Sequence, residues 1–204
     1  MPFAIVGRDI SGNLGIGFAS ASAHGEDWHV IAEVGVGLAA LHRLGAPTDE
    51  SLELLKSGLG PGDALSRLTV EPEVTGWQAL LLDAAGRAAA RSGRGCAAFF
   101  GHTMGTEHVS AGQGLVSPNV IGAMSLSFER SAGDALAERL LLALESGERA
   151  GGDRQGLKSA AIRVLRADQV AAVNLLVEDD PDPIGELRRK LTPHPNPPPQ
   201  GGRG

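Results

Sequence analysis

Residues 3–21 read FAIVGRDISGNLGIGFASA, and this stretch decides the fold. Phe3 to Arg8 is an apolar run, and Ser11-Gly12-Asn13 is a turn cluster. Beyond the turn, Leu14, Ile16 and Phe18 face one way, while Gly15, Gly17 and Ala19 face the other. A strand face made of glycine and alanine lets another layer approach closely. Trp28 to Ala32 and Val34 to Leu41 read as two further strands.

Helical spacing then takes over. Thr48 is placed to cap a segment with Asp49 and Glu50 in its first turn and Leu52, Leu55 and Leu59 on one stripe. Pro61 opens a second short helix carrying Ala64, Leu65 and Leu68. Trp77 to Asp83 and Arg87 to Arg91 form a hairpin across Ala84-Ala85-Gly86, and His108 to Gly112 adds a strand. Ser117-Pro118 starts a helix through Val120, Met124 and Phe128. Ser131 with Asp134 reads as a capping box for the next, which runs through Leu136, Leu140 and Leu144 and stops at Gly147. Ser159 to Leu165 and Val170 to Val177 return to strand, and Asp182-Pro183 starts a last helix. Strands grouped in runs, rather than alternating singly with helices, predict an α+β fold in which two antiparallel sheets pack face to face with helices outside.

Composition narrows the function. The chain has 204 residues, 42% hydrophobic and 21% charged, with aromatics at only 3% and no tyrosine, so Ala, Val, Ile and Leu must build the core. A formal charge of −6 offers no basic field for nucleic acid. No charge-free stretch is apolar enough to span a bilayer, and Arg8 and Asp9 interrupt any signal-peptide pattern. Cytoplasmic location is expected. Residues 1–191 read as one domain. Residues 192–204, TPHPNPPPQGGRG, read as a disordered Pro/Gly-rich tail.

Several local motifs fail on their own chemistry. Gly35-Val36-Gly37-Leu38-Ala39-Ala40 fits a dinucleotide-loop pattern but lacks room for the long helix that must follow before Gly45 and Pro47. Residues 151–159 resemble a phosphate-binding loop, yet Leu157 separates Gly156 from Lys158-Ser159, and Asp153 would oppose phosphate. The plain reading of that segment is a glycine turn with an Asx hydrogen bond, and the alternative is a buried Asp that orients a catalytic group. His24, His29, His102 and His108 lack the helical spacing of a metal pair and read as residues of glycine-flanked loops. Cys96 with His102 as nucleophile and base is weaker than Cys96 as packing. Neither cofactor nor metal is expected.

Beside these readings stands a resemblance. Pro2-Phe3-Ala4-Ile5-Val6-Gly7-Arg8-Asp9, Gly35-Val36-Gly37, Gly95-Cys96 with Gly101-His102, and Ala150-Gly151-Gly152-Asp153-Arg154 followed by Gly156 and Ser159-Ala160-Ala161 carry it. So does Asp180-Pro181-Asp182-Pro183 with Glu186-Leu187-Arg188. Across roughly residues 3 to 191 the chain resembles the bacterial domain of unknown function numbered 1028, a family similar in fold to the N-terminal-nucleophile (Ntn) hydrolases. The resemblance implies a four-layer αββα sandwich and amide-bond hydrolysis, with the first residue of the processed chain as nucleophile and its own α-amine as base. Here the first position after methionine is Pro2, which has no hydroxyl or thiol and offers only a secondary amine. Ala4, Leu41-His42 and the stretch Ala111-Gly112-Gln113-Gly114-Leu115 also depart from the family pattern, with several polar positions lost. Glu33 lies where a proteasome-like enzyme carries lysine.

The expectation is therefore an Ntn-hydrolase-like protein acting on amide or related C–N bonds of a small metabolite, in a cleft between the sheets near Pro2. Ser20, Glu33, Asp153 and Ser159 are expected to approach that cleft. By resemblance, Asp153 orients the amine or a water and Ser159 gives or takes a hydrogen bond. The alternative is a catalytically inactive ligand-binding or assembly module. A homodimer or higher homo-oligomer is expected in either case.

Overall fold

The alternation of residues 14–19 survives intact in the computed structural model, which describes residues 2–24, 28–43, 47–68, 74–166 and 171–192. The chain runs β1 (Pro2–Arg8), β2 (Leu14–Ser20), β3 (Trp28–Glu33), β4 (Gly37–His42), α1 (Pro47–Lys56), α2 (Pro61–Arg67), β5 (Gln78–Asp83) and β6 (Ala88–Ser92). It continues through β7 (Gly101–Gly105), β8 (His108–Gly112), α3 (Asn119–Arg130), α4 (Leu136–Arg149), β9 (Ser159–Leu165), β10 (Ala171–Val177) and α5 (Pro183–Leu191). The strands form two sheets, β10-β9-β2-β1-β8-β7 and β3-β4-β5-β6, with antiparallel pairing throughout.

Three apolar clusters define four layers. Between the sheets lie Ala4, Val6, Leu14, Ile16 and Phe18 from the larger sheet against Leu38, Ala40, Leu80 and Leu82 from the smaller. On the outer face of the larger sheet, Phe3, Ile5 and Ile162 meet Phe128, Leu140, Leu144 and Leu187 of α3, α4 and α5. On the outer face of the smaller sheet, Ala39, Leu41, Ala79 and Leu81 meet Leu55, Ala64 and Leu65 of α1 and α2. The order is α, β, β, α. Alternation along each strand is what sends neighbouring residues to different layers.

The glycine face of β2 is where α4 docks. A Cβ at Gly15 would stand 2.8 Å from Leu140 Cδ1, and one at Gly17 would stand 3.3 Å from Leu144 Cδ1. Gly147, expected to end this helix, instead lies buried inside it. There a Cβ would meet Met124 Cγ at 2.8 Å, so that glycine serves close packing of α3 on α4.

Other local expectations need correction. Residues 34–36 form a turn ahead of β4, held by the Val36 N–H donating to Glu33 O at 3.0 Å, and are not strand. β7 is a strand beyond those expected; it carries His102, which is exposed but lies on a strand and not in a loop, while His108 opens the expected strand β8 and is fully buried there. Ser131 does not open α4; its hydroxyl donates to Ser127 O at 2.9 Å and Phe128 O at 3.1 Å and closes α3. Pro47 already lies in α1, which puts Thr48 inside the helix. The Asp182 cap is present, accepting from the Gly185 N–H at 3.1 Å. Val170 and the tail beyond Thr192 lie outside the described residues.

Candidate functional site

Strand phase carries polar side chains into the inter-sheet layer at one end of the sandwich. Ala4 and Val6 point into that layer, so Pro2, two residues before Ala4, points there as well. Register sets Pro2 opposite Ser20 and Ser20 opposite Ser159, giving a row across β1, β2 and β9. All three are buried. Ser20 Oγ accepts from the Ser22 N–H at 3.0 Å, and the Lys158 N–H donates to Ser20 O at 2.8 Å. Ser159 Oγ, fully buried, meets no hydrogen-bond partner among the described residues.

The smaller sheet presents a matching row. Leu38 and Ala40, then Leu80 and Leu82, face inward, and two residues along in the same phase stand His42 and Gln78. Trp28, His42, Gln78 and Ser92 are consecutive register partners across β3 to β6. β5 lies against β8 and β1, and β4 against β2, so the two rows meet at one end of the layer, with the Gln78 amide against the Gly101 and Gly112 carbonyls. The two rows close the apolar layer with polar groups at the end where β1 begins.

Gln113, directly after β8, ties the rows together. Its N–H donates to Pro2 O at 3.2 Å. Its Oε1 accepts from the Ala97 N–H at 3.2 Å, which fixes the orientation of the amide, and its Nε2 donates to Gly76 O at 2.6 Å and to His42 Nδ1 at 3.1 Å. His42 is thus held as the tautomer with its proton on Nε2, its ring 5.5 Å from the indole of Trp28. Gln78 Nε2 donates to Ser92 Oγ at 3.0 Å and to Gly101 O and Gly112 O, each at 3.2 Å. Gln78 Oε1 and Trp28 Nε1, both buried, meet no partner among the described residues.

Asp153 reaches the same end by a different route. Residues 113–115 run past the start of β1, and Leu115 forms an antiparallel bridge with Asp153. Val116 N–H donates to Gly152 O, and Arg154 N–H to Gly114 O, both at 3.0 Å. Gly151 and Gly152 at φ of 116° and 58° supply the backbone that lets the chain double back there. Asp153 is 5% exposed, and its Oδ1 accepts from the Gln155 N–H at 2.8 Å, the Asx hydrogen bond of the plain reading.

Glu33 is the exception. It ends β3, five residues on from Trp28 and thus roughly 16 Å along the strand. Its carboxylate pairs with Lys56 Nζ at 2.8 Å, half in solvent, so strand polarity carries it away from Pro2. Cys96 is also set aside as a nucleophile. Its thiol hydrogen-bonds Gly93 O at 3.4 Å, and burial pushes its pKa up, against thiolate formation. Among the described residues no cluster of three His, Cys, Asp or Glu could hold a metal.

His42 and Gln113 are polar residues of this end that the sequence reading did not place in the site. Trp28, Gln78 and His42 were legible in principle. A polar or indole side chain that continues the inward phase of an apolar strand marks the point where the core opens to a site.

A family model described as "Family of unknown function (DUF1028)" matches residues 2–187. No curated protein matches the chain. Among solved structures, protein SPO2555 from Silicibacter pomeroyi, a DUF1028 protein, is similar at a TM-score of 0.80 and 28% identity, over 93% of this chain and 87% of that one. Anbu (ancestral beta-subunit) from Yersinia bercovieri aligns at a TM-score of 0.41 and 13% identity, over 93% of this chain and 92% of its own, a likeness too low to carry an argument.

Proposed function

This chain belongs to the DUF1028 family, and on that premise we propose that it is an Ntn-hydrolase-like protein that hydrolyses an amide or related C–N bond of a small molecule, with the Pro2 nitrogen as base. The observation that carries the reading is the row Pro2–Ser20–Ser159 facing Gln78 and His42 at the buried end of the sandwich. A chain terminus there would bring an amine into a polar, water-poor setting where one proton transfer has large consequences.

With Pro2 as the first residue of the mature chain, its nitrogen is a secondary amine, and free α-amines titrate near about pH 8. Having no side-chain nucleophile, Pro2 acts through water. The nitrogen takes one proton from a water molecule while the water oxygen adds to the carbonyl carbon. The tetrahedral intermediate then breaks its C–N bond, and the same proton passes from Pro2 to the leaving nitrogen, giving an acid and an amine or ammonia. Asp153 orients the ammonium form of Pro2, and the Ser20 and Ser159 hydroxyls bind the substrate. The two-sheet architecture that brings these groups to one end supports this assignment.

In this reading the protein is cytoplasmic and works as a homodimer or higher homo-oligomer on a small-molecule substrate. No helix among the described residues is long and apolar enough to cross a membrane. The test is ammonia release from a panel of small primary amides, using protein whose Pro2 amine is free. A rate that falls as pH drops below the amine's range, and that Pro2→Thr raises by restoring a hydroxyl, supports the reading. A free amine with no release at any pH from 5 to 9 overturns it.

A further inference from the structure

Strand β7 ends the larger sheet, with β8 on one side and a free edge on the other. Hydrogen bonds at the two ends of β8 fix which groups that edge presents. Arg8 N–H donates to Glu107 O at 2.9 Å and Gln113 N–H to Pro2 O at 3.2 Å, so odd-numbered residues of this stretch turn their backbone toward β1. The even-numbered His108, Ser110 and Gly112 therefore turn toward β7, where they pair with Gly105, Thr103 and Gly101. Between those, His102 and Met104 direct their N–H and C=O groups outward, and no described strand meets them.

Sheets guard such an edge with charge, proline or a covering group. The other three edge strands follow that rule. β3 carries Glu33, β6 carries Arg91, and on β10 Lys190 Nζ donates to Leu176 O at 3.0 Å. β7 reads Gly-His-Thr-Met-Gly, with no Lys, Arg, Asp, Glu or Pro. Its surroundings are apolar instead. Phe99, Phe100, Met104 and Val116 are each about half exposed, and the Leu115 N–H donates to Phe99 O at 3.3 Å, which ties Phe99 to the Val116 side. Together they present about 300–400 Å², the size of patch that marks a functional surface on a monomer. That is near half of the roughly 800 Å² each partner brings to a stable interface. His102 and Met104 are exposed although they pair with Ala111 and Val109 of the inter-sheet layer, so β6 leaves room beside β7.

We propose that β7 is the interface for a second copy of this chain, paired antiparallel across a two-fold axis at Thr103, so that the two larger sheets become one. The strand is complementary to itself about that point. His102 comes opposite Met104 of the other copy, each such pair exchanging two backbone hydrogen bonds, and Gly101 comes opposite Gly105 with no side chain between them. No like charges meet. The chain's own C-terminal stretch does not suit this edge: α5, from which it leaves, packs on β9 and β10 at the far side of the sheet, and Pro193, Pro195 and Pro197 to Pro199 have no N–H for a ladder.

The proposal names a surface for the homo-oligomer of the preceding subsection and rests on that expectation, not on the hydrolysis. Sedimentation equilibrium weighs the full chain, Met104→Lys, and Leu126→Lys as a control on the exposed face of α3. The chain should weigh as a dimer. Met104→Lys should weaken association at least about tenfold with unchanged far-ultraviolet circular dichroism, and Leu126→Lys should leave it alone. A second test breaks nothing. Thr103 facing its own copy forms a non-hydrogen-bonded pair with Cα atoms about 4.5 Å apart, inside the disulfide range of about 4.4–6.8 Å. With Cys96→Ser removing the native thiol, Thr103→Cys should give a covalent dimer under oxidised glutathione, and Asn174→Cys on β10 should not. A monomer at every loading overturns the interface and the homo-oligomer together. A dimer unmoved by Met104→Lys, or one that gives no Thr103→Cys cross-link, overturns the β7 pairing and leaves the homo-oligomer standing. Ammonia release from amides is read separately and moves neither result.

Discussion

His108 shows how a single side chain contributes to the protein's response to acid. Its Nδ1–H donates to Thr106 O at 3.1 Å, so Nε2 accepts from the Ser125 hydroxyl at 2.8 Å, and the ring lies 4.9 Å from that of Phe128. Burial, helped by the nearby Arg139 cation, pulls its pKa below the ordinary 6.5, against smaller opposing pulls from the Thr106 carbonyl and Glu129. The unfolded chain thus binds the proton first. Stability is full above 6.5 and falls as pH drops from there toward the folded value, below which the loss stops growing. Chemical denaturation between pH 7.5 and 5 should show that decline, and His108→Gln should flatten it. Glu33 supplies the opposite kind of test. Its pair with Lys56 is half exposed and lies at the far end of β3, so Glu33→Gln should cost no more than about 1 kcal/mol and leave any amide hydrolysis unchanged. A large loss of activity would return Glu33 to the site. The two residues also show where sequence reading stops. A histidine between glycines looks solvated until a strand such as β7 is seen beside it, and a carboxylate on a strand gives no sign of which end of the sheet it will reach.

Helix α4 is the element whose sequence said most. Leu136, Leu140 and Leu144 form its buried stripe, and the Gly15 and Gly17 face of β2 is the surface they enter. Leu140→Ala should destabilise by roughly 2–5 kcal/mol, read as a shift in denaturation midpoint. A change near zero would mean that the helix does not rest on β2. The same helix hides a charged residue that the sequence reading did not single out. Arg139 is 6% exposed, with its guanidinium 3.8 Å over the Phe128 ring and Nη2 donating to Phe128 O at 3.2 Å. Apolar phase was legible because burial scales with side-chain area; a cation satisfied by a ring face and a carbonyl leaves no pattern. Capping was partly legible for a similar reason. Asp182 with Pro183 names one geometry, whereas Ser131 sits between two helices and its hydroxyl can serve either. Asp182→Ala should cost about 0.5–2 kcal/mol, measured by thermal unfolding.

At the scale of the whole molecule, grouped strands and amphipathic helices were enough to read two sheets between helix layers, because each residue's layer follows from its phase. The site was less legible, since it forms where strand ends from both sheets meet, and register is a property of pairs. Pro2, Ser20 and Ser159 come together only because β1, β2 and β9 align as they do, and Gln78 and Trp28 join them only through the stacking of the sheets. Thr192 N–H still caps Arg188 O at 3.1 Å, so truncation after Thr192 should leave the melting temperature unchanged. The hydrolysis proposed for the site turns on the Pro2 nitrogen being a free amine at the polar end of the sandwich, and intact-mass spectrometry of the purified protein reads that state directly. The account predicts a mass lower than that of the full 204-residue chain by one methionine, with no acyl group on Pro2. A population that keeps Met1 would contradict it.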